Sequence, residues 1–298
     1  MRKRRYLAPW QRVELVEAGA GEGGSADGTA SGRPRELSAE DLLALRGKPA
    51  LYHCISRVVN RDKVLGPEEK ERFVQLLRLY ERFCRVHVLA FCVMSNHFHL
   101  LLEVPARPEG RMSDEELLDH LGLLYGKAQL KKIRWELEHY RAQGNDQAAE
   151  ALKDRFFARM YDLSAFMKVV KQRFTQFFNK KHGRKGTLWE DRFKSVLVED
   201  GHAAREVAAY IDLNPLRAGL VRDPRESRWC SYGEAVAGRA AARAGLQRVM
   251  FEQRSGVTSV ERAAREAGDW RRVARAYREM LFRDGGASQG EKEGGTRK

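Results

Sequence analysis

At 298 residues and 43% hydrophobic content, the chain can bury a substantial core in one large domain or two smaller ones. Lys and Arg number 55 against 41 Asp and Glu, a formal charge of +14 that favours polyanions, nucleic acid before anionic membrane. The longest apolar run, VLAFCVM, is far too short to span a bilayer, and four scattered cysteines exclude a disulfide framework and a cysteine zinc site.

In chain order, the basic start MRKRRYLAPW has no apolar stretch behind it and is no secretory signal. The small, polar EAGAGEGGSADGTASGRPRE cannot build a core and reads as a flexible arm. LYHCISRVVN, from Leu51, alternates and is rich in β-formers, so it predicts a strand. A helix is expected over 66–85, with Pro67 in its first turn and Phe73, Leu76, Leu77 and Tyr80 at helical spacing. VHVLAFCVM and HFHLLLEV, split by Ser95-Asn96, predict a hairpin. Helical spacing around Leu117, Leu118 and Leu121, then Ile133 and Leu137, predicts a helical insertion over 105–160. A strong amphipathic helix follows over 164–183, with Ser164 as cap and Gly183 as stop. A strand is expected over 187–199 and a helix over 200–215, capped by Asp200 and ending before Pro215. Two short helices meeting near Gly268 are expected over 259–281.

The core order β-α-β-β-α-β predicts an α+β fold, a ferredoxin-like (RRM-like) antiparallel sheet with packed helices. A helical insertion interrupts it after the third strand, and a helical extension follows it. The expected organisation is a basic low-complexity arm at 1–46, a main domain at 47–235, a helical extension at 236–282 and a disordered tail at 283–298.

His97 and His99 stand one residue apart in the third strand. Residues i and i+2 of a strand share a face, so both imidazoles project together while Phe98, Leu100 and Leu102 face the helices. The spacing alone fits a structural pair as well as half a metal site. Two ligands are too few for a divalent cation, and the remaining donors are sought in EVAAYIDLNP. There Tyr210 and Asn214 lie one helical turn apart. Two neutral imidazoles and an amide oxygen form an open site that suits Mg²⁺ or Mn²⁺ better than Zn²⁺. A tyrosine hydroxyl attacking a phosphodiester beside such an ion leaves a 5′-phosphotyrosine and a free 3′-hydroxyl. That hydroxyl can later attack the link and rejoin strands without ATP.

LYHCISR, VMSNHFHLLLEVP, GTLWEDRFKSVLVE, YIDLNPLRAGLV and RWCSY occur in the order found in single-tyrosine His-hydrophobic-His (HUH) transposases. More narrowly, the chain resembles the tyrosine transposases associated with repetitive extragenic palindromes (REP). The resemblance covers roughly 49–104 and 160–235. It implies metal-dependent cleavage and rejoining of single-stranded DNA beside a hairpin, with His97, His99 and Asn214 as metal ligands and Tyr210 as nucleophile. The scattered cysteines fit a reducing cytoplasm, and the expected protein is cytoplasmic and nucleoid-associated, as a homodimer or a monomer. The chain departs from the family where SRVVNRD replaces the usual glycine after SR, and in the 105–160 insertion, which many relatives lack.

Lys168, Lys171, Arg173, Lys180, Lys181, Arg184 and Lys185 crowd one basic helix and loop with no acid among them. Such cations track phosphates without reading sequence, and the interleaved phenylalanines are expected on the buried side. Arg57, Arg192, Lys194 and Arg217 are further candidates for DNA contact. Two alternatives stay open: a non-catalytic single-stranded nucleic-acid-binding protein on the same fold, and a metal-dependent nuclease without a covalent intermediate.

Overall fold

The computed structural model describes residues 49–199, 201–251 and 270–285. The N-terminal arm, the Asp200 cap, the first of the two expected C-terminal helices and residues 286–298 of the tail lie outside the described residues. The first strand, β1 (Ala50–Arg57), leads into α1 (Pro67–Cys84), then β2 (His87–Val93) and β3 (His97–Val104). The insertion holds α2 (Asp114–Leu121), α3 (Lys127–Ala142) and α4 (Asp146–Phe157). The chain returns through α5 (Leu163–Lys181), β4 (Lys194–Val198) and α6 (Gly201–Arg217). Beyond these, α7 (Ser231–Val236), α8 (Ala240–Phe251) and α9 (Trp270–Gly285) complete the described part. The sheet order is β2-β3-β1-β4 and every neighbouring pair is antiparallel, which is the ferredoxin-like arrangement.

Strand alternation divides the core into two layers. Tyr52, Cys54, Phe98, Leu100 and Leu102 pack with Phe73 of α1 and with Phe166, Val170, Phe174 and Phe178 of α5. Leu101, Ala90 and Cys92 pack on the other face with Ala208 and Ile211 of α6, Tyr232 of α7, Leu246 of α8 and Tyr277 of α9. A bulge between Val88 and Ala90 turns both Leu89 and Ala90 toward this second layer. There α8 comes so close that a Cβ on Gly245 would stand 2.6 Å from the Leu89 carbonyl oxygen and 2.7 Å from that of Val88.

Several boundaries differ from expectation. The cap of α5 is Asp162, whose Oδ1 accepts from the Ala165 N–H at 2.6 Å, and Ser164 lies inside the helix. Gly183 does end α5: its φ of +59° suits glycine, and the Arg184 N–H closes on the Asn179 carbonyl at 2.9 Å. The strand expected over 187–199 is shorter, because Leu188 and Trp189 plug the core instead. The Trp189 ring sits 5.3 Å from Phe98 and 5.8 Å from Phe174. Pro215 lies within α6, which runs on to Arg217. A proline there cannot donate to the Ile211 carbonyl, and the Asn214 side-chain amide approaches that oxygen at 3.4 Å. Ile211, Leu213 and Pro215 are all buried, so packing holds the helix across the break. Finally, α9 continues through Gly285, into the segment expected to be a disordered tail.

Candidate active site

The site is built on the sheet face that carries α6. Ile55 pairs with His99 and Arg57 with His97, so His53, Ile55, Arg57, His97 and His99 share this face. Lys194 of β4 joins the same row opposite Ile55, and Cys92 of β2 pairs with His99. The His97 and His99 ring centroids are 5.1 Å apart. A third histidine, His53, stacks on His99 at 5.4 Å, with its Nε2 3.1 Å from His99 Nδ1. His97 Nδ1 lies 2.7 Å from Oδ1 of Asn96.

All three imidazoles are held neutral at physiological pH. Burial lowers the pKa of His53, and burial with the Arg57 charge lowers that of His97. His99, 4% exposed, is pushed down to about 3 by burial, with His97, His53 and Arg57 adding to the effect. Neutral imidazoles are the form that ligates cations.

Tyr210 meets this cluster from α6. Its ring is 5.6 Å from His99 and 6.1 Å from His53, both edge-on, and it is 43% exposed, an uncommon position for a large aromatic. The Arg217 guanidinium lies over the same ring at 5.3 Å. Asn214 follows one turn after Tyr210 and is helical. Its Nδ2 donates to the Tyr210 carbonyl at 2.8 Å, which leaves Oδ1 as the amide's remaining acceptor.

Between them, Asp212 anchors the helix. Its fully buried carboxylate accepts from Ser231 Oγ at 2.8 Å, the Tyr232 N–H at 3.0 Å and the Tyr277 hydroxyl at 2.7 Å. Burial raises its pKa to about 6 against those hydrogen bonds. Ser231 Oγ also accepts from the Phe91 N–H at 3.0 Å, so one serine ties α6 to β2.

The candidate DNA-contacting cations fall into groups. Arg57, Lys194 and Arg217 lie on the face or helix that carries Tyr210. Residues 187–192, Arg192 included, wrap the same end of the sheet: Val59 N–H bonds the Leu188 carbonyl and Glu190 N–H bonds that of Arg57. Lys168, Lys171 and Arg173 belong to α5, across the sheet from Tyr210. Lys171 is already engaged, donating to the Asp191 carbonyl at 2.9 Å, and burial lowers its pKa to about 8. Lys181 bridges Glu68 and Glu69, each at 2.6 Å. Arg184 lies over Phe178 at 5.6 Å, while Lys180 and Lys185 are exposed. Phe174 and Phe178 are buried, as expected of the apolar side of this helix. In α9, Arg278 is locked to Asp223 at 2.9 Å.

His53 and Asn96 are the contributors that the pattern of residues did not single out. His53 falls on this face only once β1 is registered against β3. Among the described residues, no three His, Cys, Asp or Glu side chains are grouped to hold a metal ion, and no helix is long and apolar enough to cross a membrane.

The fold and face define an α+β protein with a His-x-His strand opposed by an exposed helical tyrosine. Residues 48–112 match the family described as "Transposase IS200 like", a stretch well under half of the chain that includes His53, His97 and His99. The resemblance drawn from the motifs to single-tyrosine transposases is thus borne out over that stretch. A solved structure, "Structure of the REP associates tyrosine transposase bound to a REP hairpin", is similar at TM-score 0.40 and 13% identity, covering 70% of this chain and 87% of that one. No curated protein matches the chain.

Proposed function

We propose that this protein cuts and rejoins single-stranded DNA next to hairpins, with Tyr210 as the nucleophile. The observation that carries the reading is the 5.6 Å approach of the Tyr210 ring to His99, one strand residue from His97, within a sheet whose first three strands match a transposase family. Tyr210 and Asn214 lie beyond the matched stretch, so their assignment rests on geometry and motif order.

The tyrosine oxygen attacks the scissile phosphorus and loses its proton. The 3′-oxygen leaves, giving a 5′-phosphotyrosine and a free 3′-hydroxyl. Because the link conserves a phosphodiester, attack by a 3′-hydroxyl reverses it and joins strands. Partial exposure gives Tyr210 access to a strand, while the Asp212 anchor holds its helix against the sheet. Arg217 lies over the tyrosine ring, which supports a role for its guanidinium in pairing with a phosphate of the strand.

His97, His99 and Asn214 would hold Mg²⁺ or Mn²⁺. The donor set fits: two neutral imidazoles whose Nδ1 atoms are engaged elsewhere, and an amide whose Nδ2 is engaged with backbone. With no carboxylate or thiolate in the set, water and phosphate oxygens would be left to complete the coordination. When bound, the ion neutralises charge on the scissile phosphate and orients the leaving oxygen.

Incubation with a hairpin-flanked single strand and Mg²⁺ or Mn²⁺ should give a protein–DNA adduct that survives denaturation. Tyr210→Phe should give none while still binding the DNA. A wild-type protein that forms no adduct, or a Tyr210→Phe protein that forms as much, sinks the mechanism.

A further inference from the structure

The geometry points to His53 and Asn96 as paired positioning residues that fix both HUH imidazoles as Nδ1-protonated tautomers, so that His97 and His99 present unprotonated Nε2 atoms. This deepens the metal reading above and rests on it for its purpose and for the direction assigned to the His53–His99 hydrogen bond, while the His97 tautomer follows from the metal-free geometry alone.

A neutral imidazole carries its one proton on either nitrogen, and the hydrogen bond at one nitrogen decides what the other offers. For His97 the choice is forced. Asn96 Nδ2 donates to the Arg61 carbonyl at 2.8 Å, which orients the amide and leaves Oδ1 facing His97 Nδ1 at 2.7 Å. An amide oxygen only accepts, so the proton sits on His97 Nδ1. The Asn96 backbone is tied down as well: its carbonyl accepts from the Val58 N–H at 2.8 Å, and Leu65 N–H bonds the Ser95 carbonyl at 2.9 Å. The partner segment is held in an uncommon shape, with Asn60 and Arg61 both at positive φ, 56° and 60°. That shape delivers the Arg61 carbonyl to Asn96.

For His99 the partner is His53, with Nε2 3.1 Å from His99 Nδ1 and the rings nearly parallel at 22°. Two neutral imidazoles share one proton across such a contact. With His99 as donor, His53 keeps its own proton on Nδ1 and His99 presents Nε2 as His97 does. With the roles reversed, His99 would carry its proton on Nε2 and lose its value as a ligand. Among the described residues no hydrogen-bond partner claims Nε2 of His97 or His99. A cluster of three imidazoles thus separates into two that face a ligand and one that orients.

The test is a long-range ¹H–¹⁵N spectrum of uniformly labelled, metal-free protein at neutral pH. Both His97 and His99 should show the Nδ1-protonated pattern, and an Nε2-protonated His99 in the wild type overturns the proposal. His53→Leu should release His99 toward Nε2–H, and His53→Gln, which keeps an acceptor, should restore the wild-type pattern. Asn96→Leu should do to His97 what His53→Leu does to His99. A purely structural role for His53 predicts no tautomer change in His53→Leu and no rescue by Gln; that result also overturns it. In Mn²⁺ titrations His53→Leu and Asn96→Leu should each weaken binding by roughly 10–100-fold. Expected tautomers in a wild type that binds no Mn²⁺ would support the orienting role and sink the metal reading, so the two fail separately.

Discussion

At the residue scale, Tyr210 and Tyr277 make opposite use of the same side chain. Tyr277 is fully buried and spends its hydroxyl on the Asp212 carboxylate at 2.7 Å. Removing that donor leaves a buried carboxylate short of a partner, so Tyr277→Phe should cost about 1–3 kcal/mol in denaturant unfolding. Tyr210 is 43% exposed, and Tyr210→Phe should change stability by no more than about 0.5 kcal/mol. A Tyr210→Phe protein destabilised as much as Tyr277→Phe would mean that the Tyr210 hydroxyl is structural. The pairing of His97 with His99 was legible as one strand face, because period-2 alternation needs no partner strand. His53 was not legible, since it lies 44 positions before His97 and only the Ile55–His99 register places it on that face. The end of α6 was misread for a local reason: a residue before proline disfavours helix, and burial of Ile211, Leu213 and Pro215 overrides that bias and carries the helix to Arg217.

At the element scale, two contacts set how helices sit on the sheet. The antiparallel pair α1 and α5 is joined where the N-terminus of one meets the C-terminus of the other, through Glu69, Lys181 and His182. Acid at a helix start and base at a helix end complement both dipoles. Burial alone would raise the Glu69 pKa, but the Lys181, backbone and His182 hydrogen bonds and the Lys181 charge hold it down at about 2. A carboxyl lower in the folded than in the unfolded state stabilises above the unfolded value, here about 4.5, and loses that contribution as pH falls toward 2. Glu69→Gln should therefore cost about 1–2 kcal/mol at neutral pH and show a shallower loss of stability than wild type below pH 4.5. Equal acid slopes in the two proteins would remove Glu69 from the linkage. The second contact is Gly245 against the β2 bulge. An added methyl would meet two backbone carbonyls that cannot swing aside, so Gly245→Ala should destabilise by about 1–3 kcal/mol despite the helix preference for alanine. Periodicity drew β1, β2, β3, α1 and α5 to within a few residues. It could not show that Leu188 and Trp189 serve as core plugs, because apolar residues buried from a loop in the layer under α1 and α5 look the same in sequence as those in a strand.

At the scale of the whole molecule, the sheet separates two basic regions that merge in the sequence. A formal charge of +14 favours nucleic acid without saying which surface binds it. Arg57 and Lys194 share the sheet face of His97 and His99, and Arg192 wraps the same end, whereas Lys168 and Arg173 stand on α5 across the sheet. If the scissile strand passes Tyr210, phosphate contacts belong to the first group. Each phosphate contact with a single strand contributes about 0.7 to the slope of log K against log salt. The triple variant Arg57→Ala, Arg192→Ala, Lys194→Ala should lower that slope by about 2 in single-stranded DNA titrations, and Lys168→Ala with Arg173→Ala should leave it unchanged. The opposite result would move the DNA path to α5 and away from the tyrosine. It would favour the non-catalytic binding protein, because a strand held across the sheet does not reach Tyr210.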